Sequence, residues 1–374
     1  MPPVPDMTDT VPAARAEQTL FLLGGYTDKS VLAHAPQGGE GSGFYSVIFD
    51  PEAAKFQRLT SSEVRTNPAF IMKHPELDVV YMTTEVITKD GSEVLVGKLD
   101  RSAIASRISH VFMRQQHLAK MQTCICRSVL YYAYFQVHHW APSYIILPNA
   151  NCTTLLRSQG SVTITDRKRV HGRSTCHISW DVARTHLIAV SYWDSKITTF
   201  PVCGETGALG EAAEVYSDPG AAYVDTHSPD RWEHLAHRQR WPHLHQVNLC
   251  PFTRRVFLVP DLGRDMIQLF SIQDGRVTHL GSQQLRRGLG PRHLEFSRAA
   301  RVVYVCGELD NTVTVLRYNA QHVDLVTRGG YSGDAGAADQ SQSLLSHVQT
   351  VSSVPSKLDT KSTIAEMRLH PSGR

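Results

Sequence analysis

The stretch GPRHLEFSRAARVVYVCGELDNTVTVLRY, residues 290–318, recurs along the chain in altered letters. Related copies begin at Asn67 (NPAFIMKHPELDVVYMTTEV), at Ser174 (STCHISWDVARTHLIAVSYWDSKITTF) and at Pro242 (PHLHQVNLCPFTRRVFLVPDLGRDMIQLF). A partial copy, STIAEMRLHPSGR, begins at Ser362. Each full copy has a short alternating run, a polar turn, an apolar run, an acidic or Asp-containing turn, and a third run. The marker pairs Phe70–Tyr81, His177–Ile188 and His293–Tyr304 are each separated by eleven positions, and His245–Phe257 by one more. Runs of four to eight β-branched and aromatic residues between turn signals are strands. No long 3.6-residue period competes with them. A weaker fourth run, such as RVTHLGSQQ, completes a four-stranded antiparallel blade. Repetition of such blades predicts an all-β fold, a β-propeller.

The pattern divides the chain. Residues 1–18, rich in Pro and Thr without an apolar run, read as a disordered leader and not as a signal peptide. Blades occupy residues 19–102 and 158–374. Strand patterning fades over 103–157, which reads as an insertion. A Gly-, Ser-, Ala- and Gln-rich stretch at about 328–361 reads as an exposed loop. Residues 128–156 carry no Asp, Glu, Lys or Arg, but His138, His139, Pro142, Asn149 and Asn151 interrupt them. A spanning helix needs about 20 apolar residues in a row, so this segment reads as an aromatic-rich insertion.

Charge and cysteines narrow the function. The 38 basic and 35 acidic residues leave a net charge of +3, which argues for neither nucleic acid nor a membrane surface as partner. The seven cysteines are odd in number and irregularly spaced, which suits neither a zinc site nor a disulfide framework and points to a reducing, cytoplasmic location.

Antiparallel geometry then gathers polar residues. If the strands of a blade are A to D, the start of A and the B–C turn lie at the same end of the sheet. The A-strand openings supply Arg292, His293, Cys176, His177, His243 and His245. The B–C turns supply Glu308, Asp261, Tyr192 and Glu85, read as one equivalent position four residues after the aromatic marker. Taken singly, such residues often serve only their own turn or strand. Together at one mouth of a central channel, they suit a small anionic ligand: Arg grips oxyanions bidentately, and His moves protons near neutrality.

Ordered motifs add a resemblance. GGYTD at Gly24, NPAF at Asn67, TCHIS at Thr175, RQRWPHLHQV at Arg238, VPDLGRD at Val259, GPRHLEF at Gly290, CGELDNTVTV at Cys306 and AEMRLHPSGR at Ala365 resemble the propeller-type lactonase family. That family includes 6-phosphogluconolactonases and carboxymuconate-lactonising enzymes. The resemblance implies a seven-bladed propeller and hydrolysis of a phosphosugar lactone without a cofactor or metal. It implies His177, His245 and Glu308 as catalytic residues and Arg238, His243 and Arg292 as substrate-binding residues. His177 or His245 would activate water, and the two arginines would hold anionic groups and the developing oxyanion. Two departures stand out. GRSTCH replaces the family's usual Gly-Pro before the Cys-His. The chain also stops at HPSGR, so that about five blades plus one strand of the seven-bladed type are expected. The oligomeric state is left open. The alternatives are a carboxymuconate cycloisomerase using the same arginines and a non-catalytic propeller that binds a protein.

Overall fold

The computed structural model describes residues 19–32, 43–50, 54–63, 67–89, 91–99, 144–145, 162–221, 238–327, 331–333, 343–354 and 363–369. The described residues form five sheets. The first contains β1 (Thr19–Gly24), β2 (Gly43–Asp50), β3 (Lys55–Glu63) and β7 (Tyr144–Ile145); the second contains β4 (Pro68–Lys73), β5 (Val79–Thr84), β6 (Glu93–Leu99) and β8 (Val162–Arg169). The third contains β9 (Thr175–Trp180), β10 (His186–Ser191), β11 (Lys196–Pro201) and β12 (Glu214–Ser217). The fourth contains β13 (Asn248–Leu249), β14 (Phe257–Asp261), β15 (Met266–Gln273), β16 (Arg276–Gln284) and β20 (Tyr331–Gly333). The fifth contains β17 (Pro291–Ser297), β18 (Val302–Gly307), β19 (Thr312–Tyr318) and β21 (Leu345–Ser352). The fold is an all-β propeller of the seven-bladed type, with five blades among the described residues.

The B strands explain why their sequences are apolar at successive positions. In β5, Val80 and Met82 pack with Leu22 and Phe44 of the first blade, whereas Val79 and Tyr81 pack with Leu187 and Ala189 of the third. In β10, Ile188 and Val190 turn instead to Phe257 and Val259 of the fourth. Leu258 of β14 joins Val303 and Val305 of the fifth. Successive side chains on a strand face opposite sides of the sheet. A blade between two neighbours therefore buries both faces, and its strands read as continuous hydrophobic runs.

The NPAF copy shows how blades are tied at their ends. Asn67 is fully buried. Its Oδ1 accepts from the backbone N–H groups of Thr27 and Asp28, each at 2.8 Å, and its Nδ2 donates to the carbonyls of Asp28 at 2.7 Å and Glu85 at 3.1 Å. One amide thus joins the turn of the first blade to the second. Asn67→Ala is expected to lower stability by about 2 kcal/mol, because buried donors lose their acceptor. A denaturant melt of the variant checks this.

Two expectations are revised. Residues 345–352, read as part of an exposed loop, form β21, the outermost strand of the fifth blade. It is an outer strand, mostly exposed, so its sequence lacks the apolar runs that mark inner strands. Within the segment read as an insertion, β7 pairs with β1 on the side away from β2, the place an A strand takes in the other blades. The rest of 103–157, and most of the charge-free stretch 128–156, lies outside the described residues. No described helix is long and apolar enough to cross a membrane.

Candidate functional site

Strand register brings the polar residues together. Pro68 pairs with Thr84, Thr175 with Ser191 and Pro291 with Gly307, and Leu244 bridges to Asp261. The opening of each A strand therefore lies beside the end of its B strand, and the B–C turns of the blades meet these openings at one rim. In three of those turns the last residue takes a left-handed conformation: Ser195 (φ 46), Asp265 (φ 55) and Asn311 (φ 56). Asn and Asp tolerate this region better than most residues.

The PDLGRD turn places the arginines. A Cβ at Gly263 would overlap the carbonyl of Trp241, so only glycine lets the segment carrying Arg238 cross the turn. Asp265 Oδ1 accepts from the backbone N–H of Gly290 at 2.7 Å and from Gln239 Nε2 at 2.8 Å; its Oδ2 accepts from the Gly288 N–H at 2.7 Å. One carboxylate thereby fixes the approach to Arg292 and the neighbour of Arg238. Gly290 itself sits at φ 60, a second position where glycine is required.

At the centre, Glu308 holds both guanidinium groups. Its Oε1 accepts from Arg238 Nη1 at 2.6 Å, and its Oε2 lies 3.2 Å from Arg292 Nε. Burial pushes the Glu308 carboxyl up, but Arg238 and Arg292 outweigh it and hold the group below its ordinary value. Arg238 also donates through Nε and Nη2 to the Tyr192 hydroxyl at 3.3 and 3.2 Å. Arg238 is nearly enclosed, whereas the Arg292 side chain is 23 % exposed. Arg292 Nη1 is directed at the Ala365 carbonyl and lies 3.4 Å from His293 Nε2. Within this trio two guanidinium groups share one carboxylate, and Arg292 is the member that reaches solvent.

Beneath lies a cluster of rings. The ring centroids of His245 and His293 are 5.1 Å apart, those of His177 and His293 6.0 Å, and those of Phe70 and His177 4.3 Å. Burial holds all three imidazoles below their ordinary value, so they are neutral at pH 7. His177 Nδ1 accepts from the Val247 N–H at 3.4 Å, which leaves its proton on Nε2. His245 Nδ1 has no hydrogen-bond partner among the described residues. Cys176, whose thiol burial pushes up, donates to the His245 carbonyl at 3.2 Å and holds that segment in place.

The structure thus brings His177, His245, Arg292, Arg238 and Glu308 into one connected cluster. His243 is set behind it. Fully buried, it stacks on Tyr192 with centroids 4.5 Å apart and places Nδ1 3.2 Å from the Tyr192 carbonyl. Its contacts orient Tyr192, which in turn orients Arg238. Asp261 departs from its expected place. It pairs with Met266 at the end of β14, as Ser191 pairs with Lys196 and Gly307 with Thr312. Leu262 therefore fills the turn position of Tyr192 and Glu308. The position that Ile188 and Tyr304 hold on their B strands is occupied here by Leu258 and not by the aromatic Phe257, so counting from Phe257 falls one residue short; Asp261 serves Arg264 and the His243 N–H instead. Glu85 is at the rim and accepts from the Tyr26 hydroxyl at 2.6 Å; burial pushes its carboxyl up.

Sequence reasoning gathers Tyr192 and His293 at the mouth without assigning either an individual role, and leaves Glu366 out. Glu366 had a usable signal. The partial copy AEMRLHPSGR aligns with AFIMKHPELD, and Glu366 then falls on the marker position held by Phe70, His177 and His293. In the structure it lies 2.8 Å from His293 Nδ1.

Comparison with known proteins agrees with this architecture. The family described as Lactonase, 7-bladed beta-propeller, matches residues 150–344, somewhat over half of the chain. A 6-phosphogluconolactonase of Bacillus subtilis is 31 % identical over 163 residues, which cover 44 % of this chain and 43 % of the relative. A probable 6-phosphogluconolactonase of Arthroderma benhamiae is 30 % identical over 143 residues, covering 37 % and 30 %. The chain thus spans less than half the length of these curated relatives in the matched regions. Among solved structures, a periplasmic gluconolactonase of Pseudomonas aeruginosa superposes with a TM-score of 0.61 at 16 % identity, over 95 % of this chain and 74 % of that one. A putative 6-phosphogluconolactonase of Bacteroides fragilis gives 0.55 at 20 % identity, over 93 % and 69 %. At these identities the two structures bear on the fold.

Proposed function

The chain belongs to the lactonase family of seven-bladed β-propellers, and from that premise we propose that it hydrolyses a phosphosugar lactone at the mouth of the propeller channel. The observation that carries this reading is the bridge from Glu308 to two guanidinium groups, set against a cluster of neutral imidazoles. Arg292 is the exposed member of the pair and receives the substrate's anionic oxygen. Arg238, with its donors committed to Glu308 and Tyr192, keeps the positive field in place. An imidazole of the cluster takes a proton from water. The water oxygen then bonds to the lactone carbonyl carbon, and the π pair moves onto the carbonyl oxygen, where the guanidinium charge stabilises it. Collapse breaks the ring C–O bond, and the proton returns to the departing ring oxygen. Water is added across the ester, and no covalent intermediate is needed.

In this reading His177 and His245 shape the imidazole cluster and Glu308 aligns both arginines. The odd number and irregular spacing of the seven cysteines support the reducing, cytoplasmic location in this reading.

The test is hydrolysis of freshly made 6-phosphogluconolactone beside the unphosphorylated gluconolactone, followed by proton release. The reading expects kcat/KM at least tenfold in favour of the phosphorylated lactone, since a charged contact to phosphate contributes about 1.5–3 kcal/mol. Equal rates would remove the anion-binding role. Turnover of a carboxymuconate alone would replace hydrolysis with cycloisomerisation.

A further inference from the structure

We propose that His293, paired with Glu366, is the proton acceptor of this site. The inference rests on the lactonase reading and deepens it by naming which imidazole acts. Three imidazoles are candidates, and their surroundings differ. His177 accepts at Nδ1 from the Val247 N–H, so its outer nitrogen carries a proton and donates. At His245, Nδ1 meets no partner among the described residues, so nothing fixes its tautomer. His293 alone of the three has a carboxylate at one nitrogen and a guanidinium at the other.

Glu366 Oε2 lies 2.8 Å from His293 Nδ1, an ion-pair distance, though out of line for an ideal N–H···O bond. The Glu366 side chain is 43 % exposed. On the opposite side, Arg292 Nη1 lies 3.4 Å from Nε2. A carboxylate only accepts and a guanidinium only donates. Both neighbours therefore select the same tautomer, with the proton on Nδ1 and the lone pair on Nε2. That is the form a base requires. A carboxylate behind an imidazole also stabilises the imidazolium that forms when Nε2 takes a proton.

Glu366 is itself held. Arg368 Nε lies 2.8 Å from Glu366 Oε1, and Arg368 Nη1 lies 2.8 Å from Glu295 on β17. His293, through its Nδ1–H when neutral, and the Arg368 guanidinium outweigh burial and hold the Glu366 carboxyl below its ordinary value. The segment 363–369 is further fixed by the contact between Arg292 and the Ala365 carbonyl. The groups facing His293 are Arg292 from its own strand, Glu366 and Arg368 from 363–369, and His177 and His245 across the cluster. Cys306 of β18 meets its backbone, and Glu308 follows that strand. Among these, Glu366 is the group at Nδ1.

In the reaction, Nε2 takes a proton from the water that attacks the carbonyl carbon. The resulting imidazolium gives it to the ring oxygen as the C–O bond breaks. Arg292, whose Nη1 adjoins Nε2, holds the carbonyl oxygen beside that nitrogen, so that the attacking water meets the carbonyl carbon and the base together. Glu366 is a positioning residue: it acts through His293 and touches no reacting atom.

Glu366→Gln retains the side chain's shape and removes its charge. It is expected to lower kcat about 10- to 100-fold, with KM little changed. Loss of the carboxylate disfavours the imidazolium, so the acid limb of the kcat/KM profile moves to lower pH. Glu366→Asp is expected to restore part of the rate. In 15N-labelled full-length chain, with the His293 signal assigned by its loss in His293→Gln, the wild-type imidazole is expected to be protonated at Nδ1. Its titration should move to lower pH in Glu366→Gln. An Nε2-protonated His293, or a titration and acid limb unchanged by Glu366→Gln, would overturn the proposal. A wild-type chain inert toward lactones would reject the reaction reading. The nitrogen spectra would then decide the pair by the same two outcomes.

Discussion

Arg292→Ala is expected to lower kcat/KM toward 6-phosphogluconolactone about a thousandfold. Two contributions act together. The guanidinium is the cluster's solvent-facing cation, and its removal weakens binding of an anionic substrate. It also adjoins His293 Nε2, where the proposed reaction develops charge on the carbonyl oxygen; losing a donor of this kind typically costs about 10²–10³ in kcat. The fold is expected to survive, because Glu308 keeps Arg238 as its partner at 2.6 Å. Arg292→Lys retains charge but loses the fork that meets Glu308, His293 and the Ala365 carbonyl together, so it should recover only a small part of the rate. Steady-state kinetics on the folded variants, with circular dichroism as the fold control, measures both. A variant within a fewfold of wild type would remove Arg292 from the site.

Glu308→Ala is expected to cost stability more than any other change at the rim, about 3–5 kcal/mol. The carboxylate separates two arginines, of which Arg238 is 8 % exposed and cannot turn to water. Removing it leaves an enclosed guanidinium with, among the described residues, the Tyr192 hydroxyl and a like charge nearby. The effect depends on pH in a defined direction. The folded-state carboxyl titrates below its ordinary 4.5, so its contribution is complete above that value and is lost as pH falls through the folded-state value. The gap in melting temperature between wild type and Glu308→Ala should therefore be full at pH 7 and shrink below about pH 4.5. A gap that does not change with pH would mean that Glu308 acts by packing and not by charge.

How far the sequence reaches is clear from particular residues. The blades were legible because inner strands bury both faces: Val79 to Met82 and Leu187 to Val190 are apolar at every position, and the repeat spacing survives among the copies. The antiparallel rule placed Arg292, His177 and Glu308 at one end of their blades before any coordinates, since it needs only strand order. It fails at Asp261, because the aromatic residue of that copy, Phe257, stands one position ahead of the place held by Ile188 and Tyr304, which Leu258 occupies. It could not separate His243 from His245, two positions apart, although one is stacked behind Tyr192 and the other reaches His293. β21 escaped notice because an outer strand with one solvated face carries little apolar signal. Glu366 escaped because a carboxylate replaces the ring at the repeat's marker position. That exception becomes informative only once His293 is seen beside it.

The central claim is that blades far apart in sequence assemble one anion-binding, proton-accepting rim. Its most direct test is a crystal structure of the full chain with 6-phosphogluconate, the hydroxy acid that hydrolysis of the phosphorylated lactone produces. The account predicts an anionic oxygen of the ligand within hydrogen-bonding distance of Arg292, with the carboxylate carbon beside His293 Nε2. Ligand bound elsewhere on the propeller, with Arg292 and Glu308 undisturbed, would contradict it.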